Sequence, residues 1–255
     1  MPLYTQTTGQ GPDIVMLHGW GLHGGIFDAL ADDLAHDYRV TCIDLPGHGR
    51  SRDEVLAGDL SLWVDAVLAV APKQAVWLGW SLGGLLAQTI AQNHPAWCSQ
   101  LFLTNTTPKF LTAPDWPQAQ TPDILDQFAA GLRHDYRATV QQFLALQVRS
   151  GPTGRSVLRT LRNKVFAHGD PHPEALLAGV EILRNTDLRP QAKRIQQPTQ
   201  IITGRLDRLT PPAAGAFLQQ QIPSAHLHQF TRAAHAPFLS HPDEFADQVR
   251  NFIIA

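Results

Sequence analysis

The sequence has few features that would tie it to a metal, a disulfide framework or a polyanion. Only two of its 255 residues are cysteines, Cys42 and Cys98, and neither stands in a metal-ligand spacing. We therefore expect buried thiols in a reducing compartment. Charged residues make up 16% of the chain and the formal net charge is -2, so overall charge does not favour nucleic acid or an acidic membrane surface.

Long apolar runs are also missing. No stretch approaches the roughly 20 apolar residues of a membrane-spanning helix, and the first residues, Met1 to Gln6, lack the basic start and apolar core of a signal peptide. The chain has no HExxH, no cysteine and histidine ligand set, and no GxGxxG after a first strand, so we expect neither a metal nor an organic cofactor. We predict a cytoplasmic protein that has no need to be more than a monomer.

Strand-like apolar runs alternate with segments of helical periodicity. The strand-like runs include Ile14–Leu17, Tyr38–Ile43, Gln100–Thr104 and Thr199–Thr203. This alternation predicts an α/β fold with a mostly parallel sheet flanked by helices. It stops between residues 106 and 190, where helical patterns begin with Pro122–Gly131 and His134–Val148. We assign residues 1–105 and 191–255 to the core, and residues 106–190 to an inserted helical cap.

One apolar run, Ala75–Leu78, leads into Gly79-Trp80-Ser81-Leu82-Gly83. Small residues on both sides of Ser81 permit the sharp strand-to-helix turn of a nucleophile elbow. The following helix would bring backbone N–H groups and a partial positive charge beside the hydroxyl. A plain glycine-bracketed turn would show the same letters, but the strand before and the helix after favour a nucleophile at Ser81.

Two later loops supply partners for Ser81. In the chain order Ser, Asp, His, the acid follows a late strand and the base follows the last strand, where Asp207 and His235 stand. We predict that His235 takes the proton of Ser81 as it attacks an acyl carbon, while Asp207 orients the imidazole. Asp44 is the rival acid, although aspartate in such a turn-rich loop also serves to anchor backbone N–H groups.

An oxyanion formed in this reaction needs two backbone N–H donors, one after the nucleophile and one after an earlier strand. Leu82 and Trp20 stand at these positions, Trp20 within His18–Gly21. We expect the Trp20 side chain to wall a pocket. We favour His18 as a brace of its loop over a catalytic histidine, because histidine-glycine at a strand end already has a conformational use.

The predicted cap carries a local excess of positive charge. Residues 133–164 include six arginines and one lysine against a single acid, Asp135. Arg155, Arg159 and Arg162 share one helix face, because residues four and three apart are neighbours on a helix. Such a face is either a solvated surface or a site for an anionic partner.

Several motifs across the chain resemble the pimeloyl-[acyl-carrier protein] methyl ester esterases of bacterial biotin synthesis, in the α/β-hydrolase superfamily. The motifs are HGWG at His18–Gly21, DLPGHGRS at Asp44–Ser51, WLGWSLGG at Trp77–Gly84, FLALQ at Phe143–Gln147, EILRNTDLR at Glu181–Arg189 and HAPFLSHP at His235–Pro242. GWSLGG, FLALQ and HAPFLSHP are the more family-specific ones. The resemblance implies a serine carboxylesterase that demethylates the pimeloyl ester held on an acyl carrier protein.

The resemblance also implies which residues contact substrate and carrier. Substrate contacts are implied for Trp20, Ser81, Leu82, Phe143, Leu144, Ala145, Leu146, Gln147 and His235. Arg155 and Arg159 match arginines that the family uses to receive the acidic carrier. Arg137 is displaced by one residue, about 100° of helix, and Gln142 stands where an arginine would. We add Arg162 and Arg137 to the docking surface, with Arg149 as a further candidate.

Three alternatives remain on the same scaffold. The first two are a broad short-chain carboxylesterase and a cofactor-free perhydrolase. The third is a non-catalytic binding module that keeps the fold and has lost the chemistry. The complete set of Ser81, Asp207 and His235 argues against this third alternative.

Overall fold

A computed structural model describes residues 1–148 and 152–254 of the chain. Within them, seven strands form one sheet in the order β1-β3-β2-β4-β5-β6-β7. The strands are β1 (Thr5–Thr8), β2 (Asp13–Leu17), β3 (Arg39–Ile43), β4 (Ala75–Trp80), β5 (Cys98–Thr104), β6 (Thr199–Gly204) and β7 (Ala225–Phe230). β1 pairs antiparallel with β3, and all other neighbouring strands are parallel.

Helices pack on this sheet in the places that the alternation predicts. The helices outside the β5–β6 connection are α1 (Asp28–Leu34), α2 (Leu60–Leu68), α3 (Leu82–Asn93), α7 (Pro212–Gln221), α8 (Pro237–Ser240) and α9 (Pro242–Ile254). α3 packs along β4 and β5, and α7 packs along β6 and β7. The predicted α/β fold with a mostly parallel sheet is therefore confirmed. Among the residues described, no helix is both long and apolar enough to cross a membrane.

The described residues of the connection between β5 and β6 contain three α-helices. They are α4 (Pro122–Leu146), α5 (Pro152–Val165) and α6 (Pro173–Asn185). The span of α4 contains the two helices predicted at the start of this segment, separated by a break at Asp135, where the backbone is not helical (φ -150°, ψ 92°). Oδ1 of Asp135 accepts a hydrogen bond from the N–H of Ala138 at 3.0 Å, so Asp135 caps the second half of the helix and restarts it after the bend.

The edge strand β1 has no counterpart in the sequence predictions. Its four residues, Thr5–Thr8, are polar and show no apolar alternation. Pairing with β3 stabilises the strand, including a 3.0 Å contact between the hydroxyls of Thr7 and Thr41. The central strand β4, by contrast, is buried along its whole length, as expected for a parallel strand covered on both faces.

Asp44, which follows β3, anchors the loop that begins there. Its Oδ1 accepts from the N–H of Gly24 at 2.7 Å, and its Oδ2 accepts from the N–H and Nε of Arg50 at 2.8 and 2.9 Å. Burial by itself would raise the pKa of Asp44, but the hydrogen bonds and charge of Arg50, together with His18, hold it below the ordinary value. The carboxylate is thus committed to its own loop, the anchoring role that the turn-rich sequence suggested.

Two buried histidines brace the loops after β2 and β3. His18 bonds the carbonyl of the next residue through Nδ1 at 2.8 Å, and its Nε2 accepts from the N–H of Leu45 at 2.9 Å. His48 bonds the carbonyl two residues before it at 2.8 Å, and its Nε2 accepts from the N–H of Gly21 at 3.2 Å. Each ring donates once and accepts once, which requires the neutral form. Burial lowers the pKa of His18 to about 3 and that of His48 to about 4.

We predict that acid destabilises the fold through His18 and His48. Their pKa is 6.5 in the unfolded chain and about 3 and about 4 in the fold, so the unfolded chain binds more protons below pH 6.5. Their contribution to stability is complete above pH 6.5 and falls as the pH decreases toward the folded values. Urea unfolding between about pH 7 and about pH 5 measures this loss.

The variant His48→Gln isolates one of the two groups. The slope of unfolding free energy against pH is proportional to the number of protons taken up on unfolding. We expect that number to decrease by about one, because one titrating ring is gone. The control is His36→Gln, which makes the same replacement at an exposed position. An unchanged slope in His48→Gln would contradict the assignment.

Candidate active site

Ser81 lies in the turn between β4 and α3, in a conformation that few non-glycine residues adopt. Its backbone has φ 56° and ψ -118°, in a sparsely populated region. The surrounding chain is close: a Cβ added to Gly83 would lie 2.2 Å from the carbonyl oxygen of Leu17. Glycine at position 83 therefore permits the close approach of α3 to the end of β2. Ser81 is partly exposed although β4 before it is buried, so the turn brings the residue to the surface of the core.

Asp207 and His235 meet at the carboxyl ends of β6 and β7. Oδ2 of Asp207 lies 2.8 Å from Nδ1 of His235, and both side chains are buried. Two further hydrogen bonds hold the backbone of His235. Its N–H donates to the carbonyl of Gln147 at 3.2 Å, and its carbonyl accepts from Nε1 of Trp80 at 2.8 Å. The indole and imidazole centroids are 5.5 Å apart, so the residue before Ser81 contacts the histidine directly.

Asp207 is arranged to carry a negative charge inside the protein. Burial by itself would raise its pKa, but the charge of His235 and hydrogen bonds from His235, Asn105 and Thr210 hold the pKa below the ordinary value. The hydrogen bonds to Oδ2 come from Nδ2 of Asn105 and Oγ1 of Thr210, each at 2.7 Å. An ionised Asp207 favours the proton of His235 on Nδ1.

The second ring nitrogen of His235 is available for proton transfer. Nε2 is buried and has no hydrogen-bond partner within the described part of the chain. Because Nδ1 faces Asp207, Nε2 is the atom that could accept a proton from a nucleophile. Catalytic hydrogen bonds are often long before substrate binds and shorten in the complex.

The residues expected to supply oxyanion donors lie beside Ser81. Leu82 is the first residue of α3, where N–H groups lack a partner within the helix. The loop before Trp20 is equally near, since a Cβ added to Gly19 would lie 3.2 Å from Cβ of Ser81. The structure thus brings both predicted segments to the turn at Ser81.

The side chain of Trp20 connects this loop to the helical segment. Its Nε1 donates to the carbonyl of Leu176 on α6 at 2.9 Å. Its ring packs edge-on against Phe143 at 4.7 Å and stacks on Phe128 at 6.1 Å between centroids. Trp20, Phe128 and Phe143 form an aromatic cluster beside the loop that approaches Ser81.

The five residues of the FLALQ motif do not share one surface. Phe143, Leu144 and Gln147 are buried, and Oε1 of Gln147 lacks a hydrogen-bond partner among the residues described. Ala145 and Leu146 instead face outward, and Leu146 is 46% exposed. They line a groove of about 220 Å³, together with Gln120, Ile124, Val148, Arg208 and Leu209. The helical repeat of 3.6 residues explains why the five residues of the motif face in two directions.

The arginines of the helical segment differ in their surroundings. Arg155, Arg159 and Arg162 are exposed along α5, and none has a carboxylate within ion-pair distance in the part of the chain described. Arg137 instead pairs with Asp170, with Nη2 to Oδ1 at 2.6 Å and Nε to Oδ2 at 3.1 Å. Its guanidinium is therefore already paired within the chain. Arg149 lies outside the described residues.

Sequence reasoning missed Asn105 and Thr210, which both contact Asp207. A positional signal existed for Asn105, because it directly follows β5 at the edge of the sheet where parallel strands end. Thr210 is three residues beyond Asp207, within reach of a loop turn. In residues 1–148 and 152–254, no group of three or more His, Cys, Asp or Glu side chains could hold a metal ion.

Comparison with solved structures places this geometry in a known fold. An esterase from Exiguobacterium antarcticum superimposes with a TM-score of 0.90 at 22% identity, over 99% of this chain and 96% of the other. At that identity the likeness shows the shared fold alone. The family model for the alpha/beta hydrolase fold matches residues 12–242.

Sequence relatives are closer than this. The pimeloyl-[acyl-carrier protein] methyl ester esterase of Chromobacterium violaceum is 42% identical over 245 residues, 96% of this chain and 95% of the relative. The protein of the same name from Vibrio campbellii is 40% identical over 250 residues, 98% of each chain. This chain therefore belongs to the pimeloyl-[acyl-carrier protein] methyl ester esterases, carboxylic ester hydrolases of the alpha/beta hydrolase fold.

Proposed function

We propose that this enzyme hydrolyses the methyl ester of pimeloyl-acyl-carrier protein, with Ser81 as nucleophile, His235 as general base and Asp207 as the orienting carboxylate. The observation that supports the chemistry is the buried 2.8 Å contact between Asp207 and His235. It lies at the carboxyl ends of the parallel strands, where Ser81 has its strained backbone conformation. The names of relatives at about 40% identity support the substrate. The product is a pimeloyl group with a free terminal carboxylate.

The reaction follows from these roles in two halves. Nε2 of His235 takes the proton from Oγ of Ser81 as Oγ attacks the ester carbon. The resulting oxyanion accepts hydrogen bonds from the N–H groups of Trp20 and Leu82. The imidazolium then gives its proton to the departing methoxide, which leaves as methanol. Water, deprotonated by the same nitrogen, attacks the acyl-serine and releases the carboxylate and Ser81.

We propose that residues 106–190 act as a cap over the core formed by 1–105 and 191–255. The position of α6 supports this division. A Cβ added to Gly179 would lie 2.6 Å from Cδ1 of Trp20 and 3.7 Å from Cδ2 of Leu82. The helix thus lies against both proposed oxyanion residues. The aromatic cluster of Trp20, Phe128 and Phe143 supplies apolar surface there for a methylene chain.

The exposed face of α5 is the proposed docking surface for the carrier protein. Arg155, Arg159 and Arg162 offer three cations to a partner with an acidic surface, and such complementarity mainly raises the association rate. Arg137 should contribute less because Asp170 already neutralises it. A monomer in the cytoplasm is part of this proposal.

A broad short-chain carboxylesterase or a perhydrolase would use the same serine without needing the carrier. Comparing carrier-bound pimeloyl methyl ester with a short aryl ester separates these functions, because a generalist gains nothing from the carrier. Restoring growth to a biotin-requiring strain that lacks this esterase tests the proposal in cells. Failure despite folded, esterase-active protein would reject the proposed substrate.

We predict that Ser81→Ala and Asp207→Asn each lower kcat by at least about 10⁴-fold, because loss of a member of such a triad has effects of that size. Hydrolysis of the short aryl ester measures this. Asp44→Asn is the matched control, since it makes the same change in a buried aspartate that bonds Arg50. It should lower stability and leave kcat of the folded enzyme nearly intact. Equal losses of kcat in the two aspartate variants would refute the assignment of Asp207.

We predict that changing Arg155, Arg159 and Arg162 together to Ala lowers kcat/KM for the carrier-bound ester about tenfold at low salt. Hydrolysis of the short free ester should stay unchanged, and added salt should shrink the difference because it screens surface charge. Arg194→Ala controls for the loss of one exposed arginine outside α5, because Arg194 is exposed and precedes the amino end of β6. A carrier preference that survives both the triple change and high salt would rule out docking on this face.

A further inference from the structure

We propose that Asn105 is a positioning residue that holds the acid loop and the base loop of the site at a fixed separation. Nδ2 of Asn105 donates to Oδ2 of Asp207 at 2.7 Å and to the carbonyl of Ala234 at 3.0 Å. Ala234 directly precedes His235. One amide group therefore binds the loop after β6 and the loop after β7, and this inference rests on the proposed roles of Asp207 and His235.

The orientation of this amide is determined by its neighbours. Both partners of Nδ2 are acceptors, so only the nitrogen can face them. On the other side, Oδ1 accepts from Oγ1 of Thr104 at 3.2 Å. The backbone N–H of Asn105 donates to the carbonyl of Ile202 at 2.9 Å, so the residue is fixed to β6 as well. Its side chain is 1% exposed, which removes competition from water.

The backbone of Asn105 also suits asparagine. Its φ is 44°, in the left-handed region that asparagine tolerates better than most residues. The side chain consequently leaves β5 at an angle that an extended strand residue would not give. A position just past the end of β5 can then reach the acid of the neighbouring loop.

Asn105 differs from the other donors to Asp207 in where it comes from. The N–H of Leu209 at 2.8 Å and the hydroxyl of Thr210 at 2.7 Å belong to the loop of Asp207 itself. These donors move with the carboxylate, whereas Asn105 directly follows β5 and also donates to the carbonyl of Ala234. Without the Asn105 amide, Asp207 should keep the hydrogen bonds from its own loop. Its carboxylate should no longer be held in line with Nδ1 of His235.

Asn105→Gly is the first test, because glycine accepts a φ of 44° and removes the amide without adding strain. We expect kcat for the short aryl ester to fall about tenfold, the effect of one charge-assisted hydrogen bond, and KM to change less than about twofold. A kcat within about twofold of the unchanged enzyme would overturn the proposal.

The pH dependence of activity in Asn105→Asp distinguishes a positioning role from a purely structural one. A carboxylate at this position faces the one of Asp207, and two such groups share a proton more readily as the pH falls. The shared proton restores a hydrogen bond between residue 105 and Asp207. The activity of the variant relative to the unchanged enzyme should therefore increase as the pH is lowered from about 8 to about 6. A ratio that stays constant over this range would also overturn the proposal.

Gln88→Ala is the matched control for a lost buried amide. Nε2 of Gln88 donates to the carbonyls of Gly84 and Thr107 at 3.0 and 3.4 Å, without touching Asp207. We expect lower thermal stability and an unchanged pH profile, with folding of every variant checked by circular dichroism. Ser81→Ala distinguishes failure of the proposed function from failure of the proposed role of Asn105. If Ser81→Ala keeps activity, both the triad and the positioning role of Asn105 are wrong. If Ser81→Ala is inactive while Asn105→Gly is unimpaired, only the positioning role of Asn105 is wrong.

Discussion

A serine with φ 56° and ψ -118° occupies a backbone conformation that costs about 1–3 kcal/mol, and the surrounding fold must supply that energy. The N–H of Ser81 donates to the carbonyl of Thr104 at 3.2 Å, and its carbonyl accepts from Oγ1 of Thr106 at 2.7 Å. The parallel neighbours of β4 hold the strand on both sides. Because these contacts prevent the turn from relaxing into strand or helix, the hydroxyl stays at the edge of the sheet.

A second constraint is the charge buried at Asp207. Its carboxylate accepts hydrogen bonds from the N–H groups of Leu209 and Thr210, and from the side chains of Asn105, Thr210 and His235. These donors offset the cost of removing the charge from water. They also join the ends of β5, β6 and β7, so the electrostatics of the site and the packing of its loops depend on each other.

Much of the fold and part of the site followed from the sequence. The α/β sheet and the family were predicted, because apolar alternation and the motifs around Ser81 are local signals. The order of Ser81, Asp207 and His235 selected residues that follow β4, β6 and β7 at the carboxyl end of the sheet. The contact of Asn105 with Asp207 and the pairing of Arg137 with Asp170 were missed. Both join distant parts of the chain, so no local pattern encodes them.

A fluorophosphonate probe tests most directly whether the turn after β4 makes Ser81 the nucleophile, because it forms a covalent bond with an activated serine. The labelled protein is digested and its peptides are identified by mass spectrometry. We expect one adduct per chain, on Ser81, and a large loss of labelling rate in His235→Ala because the serine loses its base. Folded protein that remains unlabelled, or an adduct on another serine, would show that Ser81 is not the nucleophile.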